Sequence, residues 1–286
     1  VKARKAKRSE KREGQKSGKA RKAGRPEKTG ANYMHTDQSP FSKYLELSRL
    51  MEIGEPVCVI FETEHEIGYK VGSKLGHEAE KRLEAEKSIE GKSGEIVAGT
   101  GDEKFPEKSH FLFCELVQKA RMGEAFLISG QNCSPGDYVL GFSEKSPAAY
   151  YLGSGRYKNS QAAENAALSL PRLEKKFCFM RIEPLSLNKG RFDVLILFLK
   201  PEKAMRIVQA SAYSEGKRAV MDTMGAASIC GDCTVFAYRE GMGLSFGCKG
   251  SRKHSGYADF EVPLGLSFEK ASEIEGILSK LPETRE

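Results

Sequence analysis

The sequence predicts an α/β fold: one compact domain built on a mixed sheet flanked by helices, with a disordered basic tail ahead of it. Three observations point there. Residues 1–40 carry almost no large apolar side chains. From Phe41 onward, short apolar runs of strand length alternate with segments of helical spacing. Val194–Leu199 is apolar at every position, as in a central strand covered on both faces.

The tail comes first. In residues 1–28, 13 basic and three acidic side chains leave a charge of +10. The remaining 33 basic and 36 acidic residues carry −3, so the net charge of +7 belongs to the tail. Such a segment cannot bury enough surface to offset its conformational entropy, hence disorder over 1–40. Its charge suits nucleic acid or another acidic partner through counterion release. A tail that only keeps the chain in solution has the same composition. No stretch approaches the ~20 apolar residues that span a bilayer. The basic N-terminus also lacks the apolar run of a secretory signal. The expectation is a cytoplasmic protein with no membrane role.

The domain spans 41–286. Residues 43–52 have helical spacing, and Val57–Phe61 reads as a strand containing Cys58. Residues 62–108 are polar and read as an insertion bounded by Pro106, with an exposed helix over Ala79–Glu90. Phe111–Met122 is a helix whose Phe113, Leu116, Val117 and Ala120 share one face, stopped by Gly123. Ala125–Ser129 is a strand, Asn132–Asp137 a turn-rich loop, and Tyr138–Phe142 a short apolar segment after it. Ser160–Leu170 is an Ala-rich helix closed by Pro171. Strands follow at Phe177–Ile182 and Phe192–Leu199, and Pro201 opens a helix through Tyr213. Beyond it come a strand at Arg218–Met221, a helix at Ala226–Tyr238, strands at Leu244–Cys248 and Glu261–Leu264, and a last helix at Phe268–Leu281. Leu116-Val117-Gln118 and Ile207-Val208-Gln209 hint at an internal repeat, each in a helix followed by a Gly turn, a strand and a cysteine. Two pseudo-repeated βαβ-like halves in one sheet would account for it, and so would chance.

Familiar nucleotide and metalloprotease signatures (GxGxxG, the Walker loop, H-E-x-x-H) are absent. His65, His77, His110 and His254 have no paired spacing, and Trp is absent. What stands out is seven cysteines without an export signal. That points to a reducing compartment, where a thiol is buried, catalytic or metal-bound rather than bridged.

Several landmarks can be read together. They are Phe113-Cys114 with Ala120 and Gly123, and Cys133-Ser134-Pro135-Gly136 with Leu140-Gly141. Asp193-Val194 leads to Pro201, Ala204-Met205 and Gln209-Ala210, then Tyr213 with Gly216 and Ala227 with Cys230. Gly247-Cys248-Lys249-Gly250-Ser251-Arg252 with Pro263 completes the series. On these residues the chain resembles the uncharacterised family catalogued as domain of unknown function 169, found mainly in archaea and anaerobic bacteria. The resemblance covers about residues 44–282 and implies no activity. It supports the domain boundary and directs attention to Cys114, Cys133, Cys230 and Cys248.

Four thiolates suffice to hold an iron–sulfur cluster or a tetrahedral zinc ion. Here 19, 97 and 18 residues separate Cys114, Cys133, Cys230 and Cys248 in turn, so the fold must bring them together. The first reading is therefore a thiolate-ligated centre on those four, iron–sulfur or else zinc, serving redox or cofactor handling. Against it stands the habit of free cysteine to be buried as a small hydrophobe. That habit accounts for Cys58 and Cys178 in apolar strands, and serves equally well for Cys114. Cys230-Gly231-Asp232-Cys233 is a C-x-x-C whose thiols would share a helical face. The second reading is a metal-free thiol enzyme acting on a small anionic substrate. Cys248 is its nucleophile, and Lys249 and Arg252 are its anion contacts. The third is non-enzymatic binding of nucleic acid or an acidic partner by the tail. Both the Cys133 and Cys248 loops are expected at strand ends on one side of the sheet, facing a shared pocket.

Overall fold

A computed structural model describes residues 43–64, 106, 108–174 and 177–282. The tail and almost all of the insertion, with its expected helix at 79–90, lie outside the described residues. In chain order the elements are α1 (Leu45–Arg49), β1 (Val57–Glu62), α2 (Phe113–Arg121), β2 (Phe126–Ile128), α3 (Ser134–Val139), α4 (Ala148–Gly153) and α5 (Ser160–Leu168). They continue with β3 (Phe179–Pro184), β4 (Val194–Leu199), α6 (Pro201–Ala212), a π-helix (Ser228–Phe236), α7 (Ala237–Glu240), β5 (Met242–Leu244), α8 (Lys249–His254), β6 (Val262–Ser267) and α9 (Phe268–Leu278). Among the described residues, no helix is long and apolar enough to cross a membrane.

The protein is an α/β domain with helices on both faces of one six-stranded sheet, in the order β2-β3-β1-β4-β6-β5. Neighbouring strands are antiparallel throughout. β1 and β2 nevertheless run the same way, because β3 lies between them; β4 and β5 flank β6 likewise. Each half is thus a split β-α-β unit. Order and direction read the same from either edge, so the halves are related by an approximate two-fold axis between β1 and β4. All six residues of β4 are buried, as its unbroken apolar run requires at the sheet centre. Alternation along β1 and β4 then sends Val57, Val59, Val194, Ile196 and Phe198 to one face. Cys58, Leu195, Leu197 and Leu199 go to the other, which α1, α6 and α9 cover.

This symmetry corrects the pairing suggested by the Val-Gln match. The counterpart of α2 is the π-helix with α7, since each leads through a positive-φ glycine, Gly123 or Gly241, into an edge strand. Helix α6 packs on the opposite face. Cys114 therefore corresponds to Cys230 and Cys133 to Cys248.

Other local readings change for tertiary reasons. Asn132–Phe142 contains α3: Ser-Pro-Gly-Asp resembles a turn, but Pro135 sits in the first turn of a helix, where its missing N–H costs nothing. Arg218–Met221 is irregular, with Arg218 and Val220 exposed and Ala219 and Met221 packed against the second core layer. The strand placed at Leu244–Cys248 begins and ends earlier, at Met242 and Leu244, and the Lys-Gly-Ser-Arg turn is the start of α8.

The helix expected at Ala226–Tyr238 is a π-helix from Ser228 to Phe236. It lies directly on the sheet. Gly243 and Gly265 face each other across β5 and β6. A Cβ on Gly243 would sit 1.9 Å from the Asp232 carbonyl oxygen, and one on Gly265 1.7 Å from that of Cys233. The two glycines form a trough that only a bare backbone permits. Asp232 is held there by the hydroxyls of Thr223 and Ser245, each 2.6 Å away. Burial still pushes its carboxyl up to about 6.

Candidate functional site

Four helix starts open onto one cavity of about 50 Å³. Cys114 lies in the first turn of α2 and Cys133 is the N-cap of α3. Cys230 lies in the first turn of the π-helix and Cys248 is the N-cap of α8. All four line the cavity, two from each half.

The route by which they meet differs from a shared strand end. β2 and β5, which precede the Cys133 and Cys248 loops, are opposite edges of the sheet and run in opposite directions. The loops therefore do not leave from one end of it. They come together because the halves exchange helices over the sheet face: α8 packs on α2, and α3 packs on the π-helix.

Each half fixes its pair with a small polar network. In the first, fully buried Gln131 accepts the Phe113 N–H at 3.1 Å and donates to the Cys133 carbonyl at 2.6 Å. One side chain thus ties the start of α2 to that of α3. Asp137 accepts the Gln131 N–H at 2.8 Å and pairs with Lys108 at 2.6 Å. In the second half, serines do this work. Cys248 N–H donates to Ser228 Oγ at 2.8 Å and to Ser251 Oγ at 2.9 Å, and the two hydroxyls lie 3.0 Å apart. Ser228 opens the π-helix and Ser251 is in α8, so Cys230 and Cys248 are held in one frame.

The symmetry breaks at the cavity's cover. Between β2 and β3 the chain makes a long excursion, from which α4 brings Tyr150 and Tyr151 to the cavity, followed by Arg156. Between β5 and β6 there is only α8. Tyr151 is fully buried, and among the described residues its hydroxyl has no hydrogen-bond partner. Burial first, and nearby Cys230 after it, push that phenol above its ordinary range. A non-glycine residue with left-handed backbone, Ala227 (φ 51°), caps the π-helix and also lines the cavity. Such strain gathers at functional sites.

The four thiols feel one another. Burial pushes Cys114 up to about 12, against the Ser255 hydroxyl and with Cys248 and Cys133 adding to it. Cys133 moves up through burial, opposed by the Gly136 N–H. Cys230 moves well up through burial, and through Cys133, Cys248 and Cys114. Cys248 alone moves down. Burial raises it, but hydrogen bonds from Ser251 and Ser228 outweigh that, the Ser251 N–H lying 3.3 Å from its sulfur. Among the described residues, no three His, Cys, Asp or Glu side chains converge closely enough to hold a single metal ion.

The remaining sequence candidates lie elsewhere. Lys249 is exposed and does not line the cavity. Arg252 turns its guanidinium to the carbonyls of Phe246, Ala258, Asp259 and Glu261, and stacks over Tyr257 at 4.6 Å. Cys58 is buried in the opposite core layer. Cys233 points at the sheet, its thiol donating to the Pro263 carbonyl at 3.3 Å. The C-x-x-C thiols diverge because a π-helix, with i→i+5 bonding, does not stack i over i+3. Sequence reasoning missed Gln131, Ser228, Ser251, Tyr151 and Arg156. The capping pattern Cys248-x-x-Ser251 was a usable signal; nothing marked the others.

No solved structure matches this chain. Over 177 residues it is 29% identical to the uncharacterized protein MJ0308 of Methanocaldococcus jannaschii, an alignment covering 59% of this chain and 75% of that protein. The landmark cysteines, the glycine turns and the two-fold core all fall within residues 53–276, which match domain of unknown function 169, described as "Uncharacterised ArCR", and the chain belongs to that family.

Proposed function

We propose that the domain holds a thiolate-ligated metal centre on Cys114, Cys133, Cys230 and Cys248, serving redox or cofactor handling. The observation that carries this is the meeting of four sequence-distant thiols, two from each half, around one cavity. Thiolate is the soft ligand that iron–sulfur clusters and zinc prefer. Iron–sulfur is favoured because the thiols surround a cavity and do not converge on a point. A cluster spreads its ligands around several irons, whereas a zinc ion needs four sulfurs each about 2.3 Å away. Rotation of a cysteine between staggered χ1 wells moves its sulfur by roughly 3 Å, and such rotation would draw the four toward one centre. The raised thiols are then expected to lose their protons to metal binding, which makes uptake favourable as pH rises.

Anaerobic purification of the full chain, followed by iron, zinc and acid-labile sulfide analysis, tests the reading. The expected result is stoichiometric metal that falls at least about tenfold in affinity when any of the four cysteines becomes serine. Cys58→Ser, changed in the far core, is the control and keeps it. A colourless protein without stoichiometric metal ends the proposal.

A second reading is favoured by one observation, the downward shift of Cys248 alone. In it the chain is a metal-free thiol enzyme with Cys248 as nucleophile on a small anion. Alkylation by iodoacetamide, followed residue by residue across pH, separates the two. Because the thiolate is the reactive form, a lowered pKa puts the midpoint of the Cys248 rate below the ordinary value of about 8.5. A midpoint at or above that value in metal-free protein excludes activation.

A further inference from the structure

The cavity contains recognition groups that a metal ligated only by cysteine leaves unused. Tyr151 is fully buried, and its unpartnered hydroxyl belongs to a side chain lining the cavity. Native proteins leave few buried polar groups without partners, and each calls for an explanation. Among the described residues, exposed Arg156 is the one basic side chain in the lining, and no carboxylate lines it. Arg156 rests near the Tyr150 ring at 5.9 Å, and among the described residues it pairs with no acid. The rest of the lining is mainly apolar apart from the thiols, Gln131 and the two serines, and the polar networks above already occupy those last three. The unpartnered, buried Tyr151 hydroxyl and the exposed Arg156 guanidinium thus border one mainly apolar cavity, and among the described residues no carboxylate competes with an anion there.

We infer that this cavity binds a small monoanion, held by the Tyr151 hydroxyl and the Arg156 guanidinium beside the thiols. The identification deepens the reading above and rests on it only in one respect, that the anion's remaining neighbours are the four thiols proposed as ligands. The volume sets the ligand's size. At about 10–15 Å³ of such space per water, 50 Å³ takes roughly three to five water-sized groups. A nucleotide or a sugar phosphate is too large. Tyr151 donates its O–H to the anion, and Arg156 supplies the charge and a planar pair of donors. Both come from the excursion between β2 and β3 that the second half lacks, so the centre's frame is two-fold while its ligand end is one-sided.

Azide, a monoanion of three atoms, is the probe. Calorimetric titration of the full chain, reduced and anaerobic, is run on metal-free protein, because about 50 Å³ does not hold a cluster and azide together. Wild type is expected to show saturable binding at one site. Y151F and R156M are each expected to weaken it at least about tenfold, the loss of one charge-assisted hydrogen bond. R206M, on α6 across the sheet, is expected to bind like wild type. Because Y151F removes only an unpartnered hydroxyl, its melting temperature without azide should equal or exceed that of wild type, which shows the fold intact. Absence of saturable binding in wild type overturns the inference, and so does either cavity variant binding azide as wild type does. Metal uptake by the same protein on anaerobic reconstitution without azide reports on the centre separately. A protein that binds azide and takes up no metal sinks the centre and leaves the anion site, and the converse sinks only the anion site.

Discussion

Gly265→Ala is expected to destabilise the domain by at least about 3 kcal/mol, the upper part of the range for overpacking. The added methyl would stand 1.7 Å from the Cys233 carbonyl oxygen, a distance no relaxation of a flexible side chain can relieve, because the obstacle is backbone. Gly243→Ala meets the Asp232 carbonyl at 1.9 Å and should behave alike. Neither glycine has a positive φ, so space and not backbone conformation is what excludes the side chain. Relief requires lifting the π-helix off the sheet, which also displaces Cys230 from the cavity. With total stabilities of 5–15 kcal/mol typical of domains, such a loss takes a large share. Urea unfolding of the two variants measures it. Gly276→Ala is the contrast: it lies exposed in α9 with nothing within 4 Å, and should stabilise by about 0.5–1 kcal/mol through helix propensity. Midpoints unchanged in both G243A and G265A would show that the π-helix does not rest on the trough.

Breaking the Arg121–Glu261 pair is expected to cost about 3–5 kcal/mol, because it strands a charge in the interior. Arg121 is 1% exposed and Glu261 2%. The guanidinium holds the carboxylate with two nitrogens, donates to the Ile53 carbonyl at 2.8 Å and stacks 4.7 Å from the Phe198 ring. Glu261 also accepts the Ala258 N–H at 2.9 Å. The pair joins the end of α2, in the first half, to the segment leading into β6, in the second. R121M and E261L each leave one partner buried and alone. R121M/E261L removes both charges, and should lose far less than the two single changes added together. A double-mutant cycle on urea midpoints reads this coupling. Additive losses would mean that packing, and not the charge pair, holds the halves at this point.

Much of the architecture follows from patterns that are local in sequence. The unbroken apolar run of β4 put it at the sheet centre, and there it lies. Periodic spacing located α2 and α9 on their buried faces, and Pro201 marked the start of α6. Local chemistry misled where tertiary partners override it. Ser134-Pro135-Gly136-Asp137 has the composition of a turn, yet it starts a buried helix because Gln131 and Asp137 satisfy each other's polar groups there. Ala226–Tyr238 reads as an ordinary helix. It is a π-helix seated on Gly243 and Gly265, residues that come later in the chain and that its own residues do not announce.

The sequence by itself determined the fold class, the central strand, the family landmarks and the four cysteines worth asking about. These depend on composition, on periods of two and of about 3.6 residues, and on short motifs, all contained in neighbouring residues. Tertiary structure alone decided which half each cysteine belongs to, that opposite edge strands deliver their loops to one cavity, and that Tyr151 and Arg156 cover it. It also turned Arg252 and Cys233 away from that cavity. Pairings across more than a hundred residues are set by how two β-α-β halves exchange helices over a shared sheet, and that exchange leaves no periodic mark on either half.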